Sequence, residues 1–111
     1  MATIDDQIAA YQQLFDALTQ AYWDATDISM KDQITSVKDE LLDLIQNLDQ
    51  VKIQAGTEIL SQVTAQLTTV NKELKAIKDQ ITTITKRIST IGQVTAAIDR
   101  AISYGTKVVG L

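Results

Sequence analysis

Residues 60–91 read LSQVTAQLTTVNKELKAIKDQITTITKRISTI. Their apolar side chains fall at Leu60, Val63, Leu67, Val70, Leu74, Ile77, Ile81, Ile84, Ile88 and Ile91, spaced three and four residues apart without a slip. A helix turns once per 3.6 residues, so this spacing lays one apolar seam along it, with Leu or Ile at the a positions and Val or Ile at d. The seam resumes at Ile98, Ile102 and Val109, with Thr95 at a and Gly105 at d interrupting it. This pattern predicts an all-α, coiled-coil-type fold.

The first half of the chain carries the same spacing twice. Ile34, Val37, Leu41, Leu44, Leu48, Val51 and Ala55 form one run, and Ile4, Ile8, Tyr11, Phe15, Leu18 and Tyr22 form another. The phase slips between them at Thr26-Asp27-Ile28-Ser29-Met30, where Asp27 or Ser29 is suited to cap a new helix. Thr3 with Asp6, and Ser29 with Asp32, have the spacing of a capping box, with Asp in place of the usual Glu. Gly56 stands mid-chain, where a glycine just past a helix end accepts positive φ cheaply and Thr57 can cap the next helix.

These signals predict one helical domain over residues 1–111, with an arm of about 3–54 and a second of about 57–109 folded into an antiparallel hairpin about Gly56. The layers would be Val51 on Leu60, Leu48 on Val63, Leu44 on Leu67, Leu41 on Val70, Val37 on Leu74 and Ile34 on Ile77. Breaks at 26–29 and at Gly92 would instead kink the arms into a compact four-helix arrangement, and a continuous helix through Gly56 would make a rod. The hairpin places Glu40 and Glu73, both at g, close together, which counts against it.

Flanking positions refine the picture. From 60 to 91 the e and g residues are polar: Thr64, Gln66, Asn71, Glu73, Lys78, Gln80, Thr85 and Arg87. That describes a narrow two-stranded seam. Toward both termini the g positions become apolar, at Leu14, Ala21, Val94, Ala101 and Val108. One partner helix does not cover so wide a stripe. The expected cover is a second copy, giving a dimer or higher homo-oligomer whose interface comprises these five residues and Trp23. Trp23 lies beside the first break, where a tryptophan either plugs the corner or serves as a contact.

Composition narrows the chemistry. The chain has 111 residues with no Cys, His or Pro. Disulfides, thiolate nucleophiles and His-based general bases or metal sites are therefore excluded. The four glycines are scattered, so no phosphate-binding loop is formed. Asp39, Glu40 and Asp43 read as a solvated acidic face, since a hard cation wants more converging oxygens. Lys72, Lys75, Lys78 and Lys86-Arg87 read as a polar helix face interleaved with Glu73 and Asp79, or as a docking patch for an acidic partner or membrane. No enzyme activity, metal or cofactor is expected.

Net charge is −4, which speaks against nucleic acid as a partner. Residues 1–56 hold ten acids and three bases, and residues 57–111 hold four acids and seven bases, so the two halves should attract. The N-terminus, Met1-Ala2-Thr3-Ile4-Asp5-Asp6, has acids where a secretory signal needs bases, and a cytoplasmic location is expected. Export without a leader would leave no mark of this kind. In length, acidity and a central turn the chain is similar in shape to the small secreted Trp-x-Gly helical-hairpin proteins. The motif is missing, because the turn reads Ala55-Gly56-Thr57, and so the likeness transfers no function.

The expected function is a structural or protein-interaction module that self-associates and presents helical faces to a protein partner. The sparsely charged stretch Ile81–Leu111 suggests an alternative, a membrane-active or exported hairpin acting as a toxin component or effector. A further alternative is a small acidic antitoxin, immunity protein or secretion chaperone that masks a basic partner.

Overall fold

Three three-residue breaks divide the chain, and side-chain caps explain the starts of the first two helices. A computed structural model describes residues 2–110. It has four helices: α1 (Ile4–Asp24), α2 (Ile28–Ile53), α3 (Thr57–Ile84) and α4 (Ile88–Ser103). Helix α1 begins at the capping box expected from Thr3 and Asp6. The Thr3 amide donates to Asp6 Oδ2 at 2.9 Å, and the Asp6 amide donates to Thr3 Oγ1 at 3.2 Å. Asp27, not Ser29, caps α2, its Oδ1 accepting the Ser29 amide at 2.7 Å.

The other two breaks differ from expectation. Gly56 is the N-cap of α3, in extended backbone at φ −138°, and makes no left-handed turn. The turn therefore does not need glycine, and a Cβ built there would meet nothing within 4 Å. The break in the second arm lies at Thr85-Lys86-Arg87 and not at Gly92, which sits inside α4. Thr85 helps to form it, its Oγ1 accepting the Arg87 amide at 3.1 Å. The unbroken three-four spacing from Leu60 to Ile91 gave no hint of this, because the helix stops and restarts in phase. Where the chain does need glycine is after α4. Gly105 takes φ +71° and donates its amide to Ile102 O at 2.9 Å, ending the helix.

The hairpin register is present throughout. Asn47 Nδ2 donates to Gln66 Oε1 at 2.9 Å, and the Glu40 carboxyl lies beside that of Glu73. In the outer half, Arg100 donates to Gln13 Oε1 at 2.5 Å, and the Thr90 hydroxyl donates to Asp24 Oδ2. The first three pairs lie equally far in sequence on either side of the Gly56–Thr57 bond, and Asp24 with Thr90 misses by one residue. One antiparallel register thus runs from the central turn to the termini.

The two long straight arms do not form. Each would span about 75 Å at 1.5 Å per residue, whereas the longest extent of the molecule is 42 Å. The breaks at 25–27 and 85–87 fall at the same level of the hairpin. The α1/α4 half folds back there onto the α2/α3 half, so that α1 packs on α4 and α2, and α3 on α2 and α4. The result is a four-helix bundle with antiparallel neighbours.

This folding changes what the apolar positions touch. The six predicted hairpin layers supply buried residues throughout the inner half, except that Leu60 is half-buried. Full burial of one such side chain is worth about 1.5–3 kcal/mol. The expectation of a narrow seam along α3 is corrected: α4 covers its e side. Asn71 and Thr85 are buried there, and Lys78 pairs with Asp99 at 2.5 Å. In α4 the core shifts from a and d to g and d. Val94, Ile98 and Ala101 are fully buried, while Ile88, an a position, is 85% exposed.

Beyond α4 the C-terminal segment runs back along α1. Fully buried Gln7 holds it, its Nε2 donating to Lys107 O at 3.1 Å and its Oε1 accepting the Val109 amide at 3.0 Å. Asn71 Nδ2 donates to Gly105 O at 3.0 Å, tying the same segment to α3. The charge asymmetry of the two halves contributes little direct pairing. Of the three ion pairs among the described residues, only Asp24–Arg87, at 3.6 Å, joins them.

Candidate interaction surface

The predicted interface residues separate into two groups. Leu14, Ala21, Val94 and Ala101 are fully buried, where α1 and α4 pack on each other and on the inner pair, and Val108 is half-buried against the same core. The chain's own folded-back half covers the wide stripe for which the sequence suggested a second copy. Trp23 belongs to the second group. It is 70% exposed and does not plug the corner. Its ring meets the edge of half-buried Tyr22 at 5.4 Å between centroids.

Trp23 has exposed apolar company. Ile28 opens α2 at 76% exposure and Ile88 opens α4 at 85%. All three flank the breaks 25–27 and 85–87. Those breaks are held side by side by Asp24, whose carboxylate accepts from Thr90 Oγ1 and Gln20 and lies 3.6 Å from the Arg87 guanidinium. The Thr90 hydrogen bond, helped by Gln20 and Arg87, keeps the Asp24 carboxyl below its ordinary range despite the opposing effect of desolvation. Thr26, Thr83, Ile84, Thr85, Lys86 and Arg87 surround it in a shallow groove. This end of the bundle thus has an ion-paired acid between the breaks and three exposed apolar residues flanking them. Sequence reasoning found Trp23 but missed the two isoleucines. Ile88 lay on an unbroken seam, and nothing in its spacing marks it as exposed.

Midway along α2 and α3 the molecule carries a carboxylate pair. Glu40 on α2 and Glu73 on α3 are both half-buried and lie side by side, with Glu40 Oε2 buried and without a hydrogen-bond partner, so the contact that counted against the hairpin is made. Burial pushes the Glu40 carboxyl up to about 7, and the neighbouring Glu73 carboxyl adds to the effect. The groove beside it is lined by Asp43, Gln62, Ala65, Gln66, Thr69 and Val70. In the core, burial raises Tyr11, which accepts from Gln7 at 3.1 Å and meets Tyr104 edge to face at 6.5 Å.

Among the described residues no cluster of three or more acidic, His or Cys side chains is placed to hold a metal ion. No helix of the described chain is long and apolar enough to cross a membrane. The chain matches no family model, no curated protein and no solved structure.

Proposed function

We propose that the protein is a non-enzymatic interaction module that self-associates and offers helical surface to a protein partner. The supporting observation is that Trp23, Ile28 and Ile88, each more than two-thirds exposed, all flank the two breaks that Asp24 holds together. Exposed large apolar side chains gathered in one place mark contact surfaces more often than isolated ones do. Tryptophan in particular is enriched among residues that dominate binding energy.

Trp23 is the only tryptophan, so its emission reports on this surface alone. Raising the protein concentration should shift that emission to the blue as the ring leaves water, with a parallel rise in mass by light scattering. Trp23→Ser with Ile88→Ser should keep the helical content and abolish the rise in mass. A wild-type protein that stays monomeric and keeps a red, solvent-exposed emission at hundreds of micromolar would defeat the self-association reading. Blue-shifted emission on lipid vesicles without any gain in mass would favour a membrane surface as the partner instead.

A further inference from the structure

The two outer breaks share three properties. They lie at one level of one hairpin register, they are three residues each, and neither contains Gly or Pro. Ala25-Thr26-Asp27 and Thr85-Lys86-Arg87 carry no residue that forbids helix. Among the described residues every positive φ falls on Gly105 or Gly110, outside both breaks. Asp27 and Thr85 cap the chain at these breaks, but no residue in either compels a reversal, and packing of the folded-back half completes it.

The second arm adds a more specific sign. Ile77, Ile81, Ile84, Ile88 and Ile91 keep the three-four spacing straight through 85–87. A continuous α3–α4 helix would return Ile88 to the seam, whereas the folded form leaves it 85% exposed. A sequence that only ever folded back at 85–87 would have no reason to hold that phase.

We infer that the chain forms an arm-exchanged dimer. In it the hairpin opens at its waist, and the α1/α4 half of each copy packs on the α2/α3 half of the other. The packing of α1 on α4 stays within each copy, while the contacts of α1 with α2 and of α4 with α3 that complete the burial of Leu14, Ala21, Val94 and Ala101 are remade between copies, so no new complementary surface has to exist. Short connecting loops favour such exchange. The two bundle halves then meet end to end at the opened breaks, which brings Trp23, Ile28 and Ile88 of both copies to the centre of the dimer. The inference rests on the self-association reading and names its geometry.

Spin labels at Gln12 and Gln46 on exposed faces of α1 and α2 distinguish the forms. Within one chain, labelled protein being diluted with excess unlabelled, the closed bundle holds them within about 20 Å. The opened chain separates them by about 50 Å at 1.5 Å per residue. The protein is measured as wild type, refolded at tens and at hundreds of micromolar, and as the variant Thr26→Ala, Asp27→Ala, Thr85→Ala, Arg87→Ala, which favours helix through both breaks. The expected result is a dimer mass with the long distance, in a fraction that grows with wild-type concentration and dominates in the variant. Refolded wild type supplies the test if the variant does not fold. A dimer that keeps the short distance would overturn exchange while leaving self-association intact. Monomers with the short distance at every concentration would overturn both.

Discussion

Replacing Glu40 by Gln tests the carboxylate pair and, with it, the register that creates the pair. In the folded chain the Glu40 carboxyl titrates near 7, against an ordinary value of 4.5. The folded state therefore holds its proton more tightly than the unfolded chain does. Below about pH 4.5 both states are protonated and the site has no effect on stability. Between about pH 4.5 and 7 the unfolded chain sheds the proton first, so stability falls as pH rises. Above about pH 7 the penalty is complete. Unscreened, the gap corresponds to about 3 kcal/mol at 1.36 kcal/mol per pH unit. Both residues are only half-buried, and screening brings this to about 1–2 kcal/mol. Glu40→Gln keeps the shape and a donor for Glu73 but removes the charge. It should gain about 1–2 kcal/mol near pH 8 and almost nothing near pH 4, a Tm gain of about 4–8 °C per kcal/mol. Far-UV circular dichroism melts of both proteins across that range give the difference directly, and other acids cancel in the comparison. A difference that is flat with pH, or largest in acid, would refute the pair.

Other perturbations test the fold at separate points. Leu67 is fully buried between α2 and α3, so Leu67→Asp should lower stability by about 3 kcal/mol or more, whereas Lys72→Asp on the exposed face should change it by under about 0.5 kcal/mol; equal losses in denaturant titrations would invert the face assignment. Gly92 lies inside α4 with nothing within 4 Å of a built Cβ, so Gly92→Ala should add about 0.5–1 kcal/mol, and a loss in the same titrations would restore a break there. Gly105 has φ +71°, so Gly105→Ala should cost about 1 kcal/mol despite open space, while Gly56→Ala, at φ −138°, should stay within about 0.5 kcal/mol. Thermal melts that rank the last two the other way would show that the central turn, and not the end of α4, depends on glycine.

How much of this was legible in the sequence depends on the range of the interaction. Spacing of Leu, Ile and Val set the helical character and the α2/α3 layers from Ile34–Ile77 to Leu48–Val63, because a seam repeats within a few residues and burial follows from it. The capping box at Thr3 and the cap at Asp27 were likewise local, each closing a hydrogen bond within three residues. The apolar g positions Leu14, Ala21, Val94 and Ala101 correctly announced a second buried face. They did not say what covers it, since a stripe reads the same whether its partner is the same chain or another.

Only the tertiary structure decided that the hairpin folds in half. The breaks at 25–27 and 85–87 carry no compulsory turn residue, and at the second the heptad phase does not slip. Their position is set by the balance between losing a few helical hydrogen bonds and burying the α1/α4 face on the α2/α3 face. That balance is a sum over residues far apart in the chain; the phase slip and the Asp27 cap marked the first break locally, but no window along the sequence marked the second. The exposure of Ile88 and of Trp23 is its by-product: a residue that local spacing assigns to a seam, and one that it assigns to a corner, both reach the surface because the chain turns where they stand.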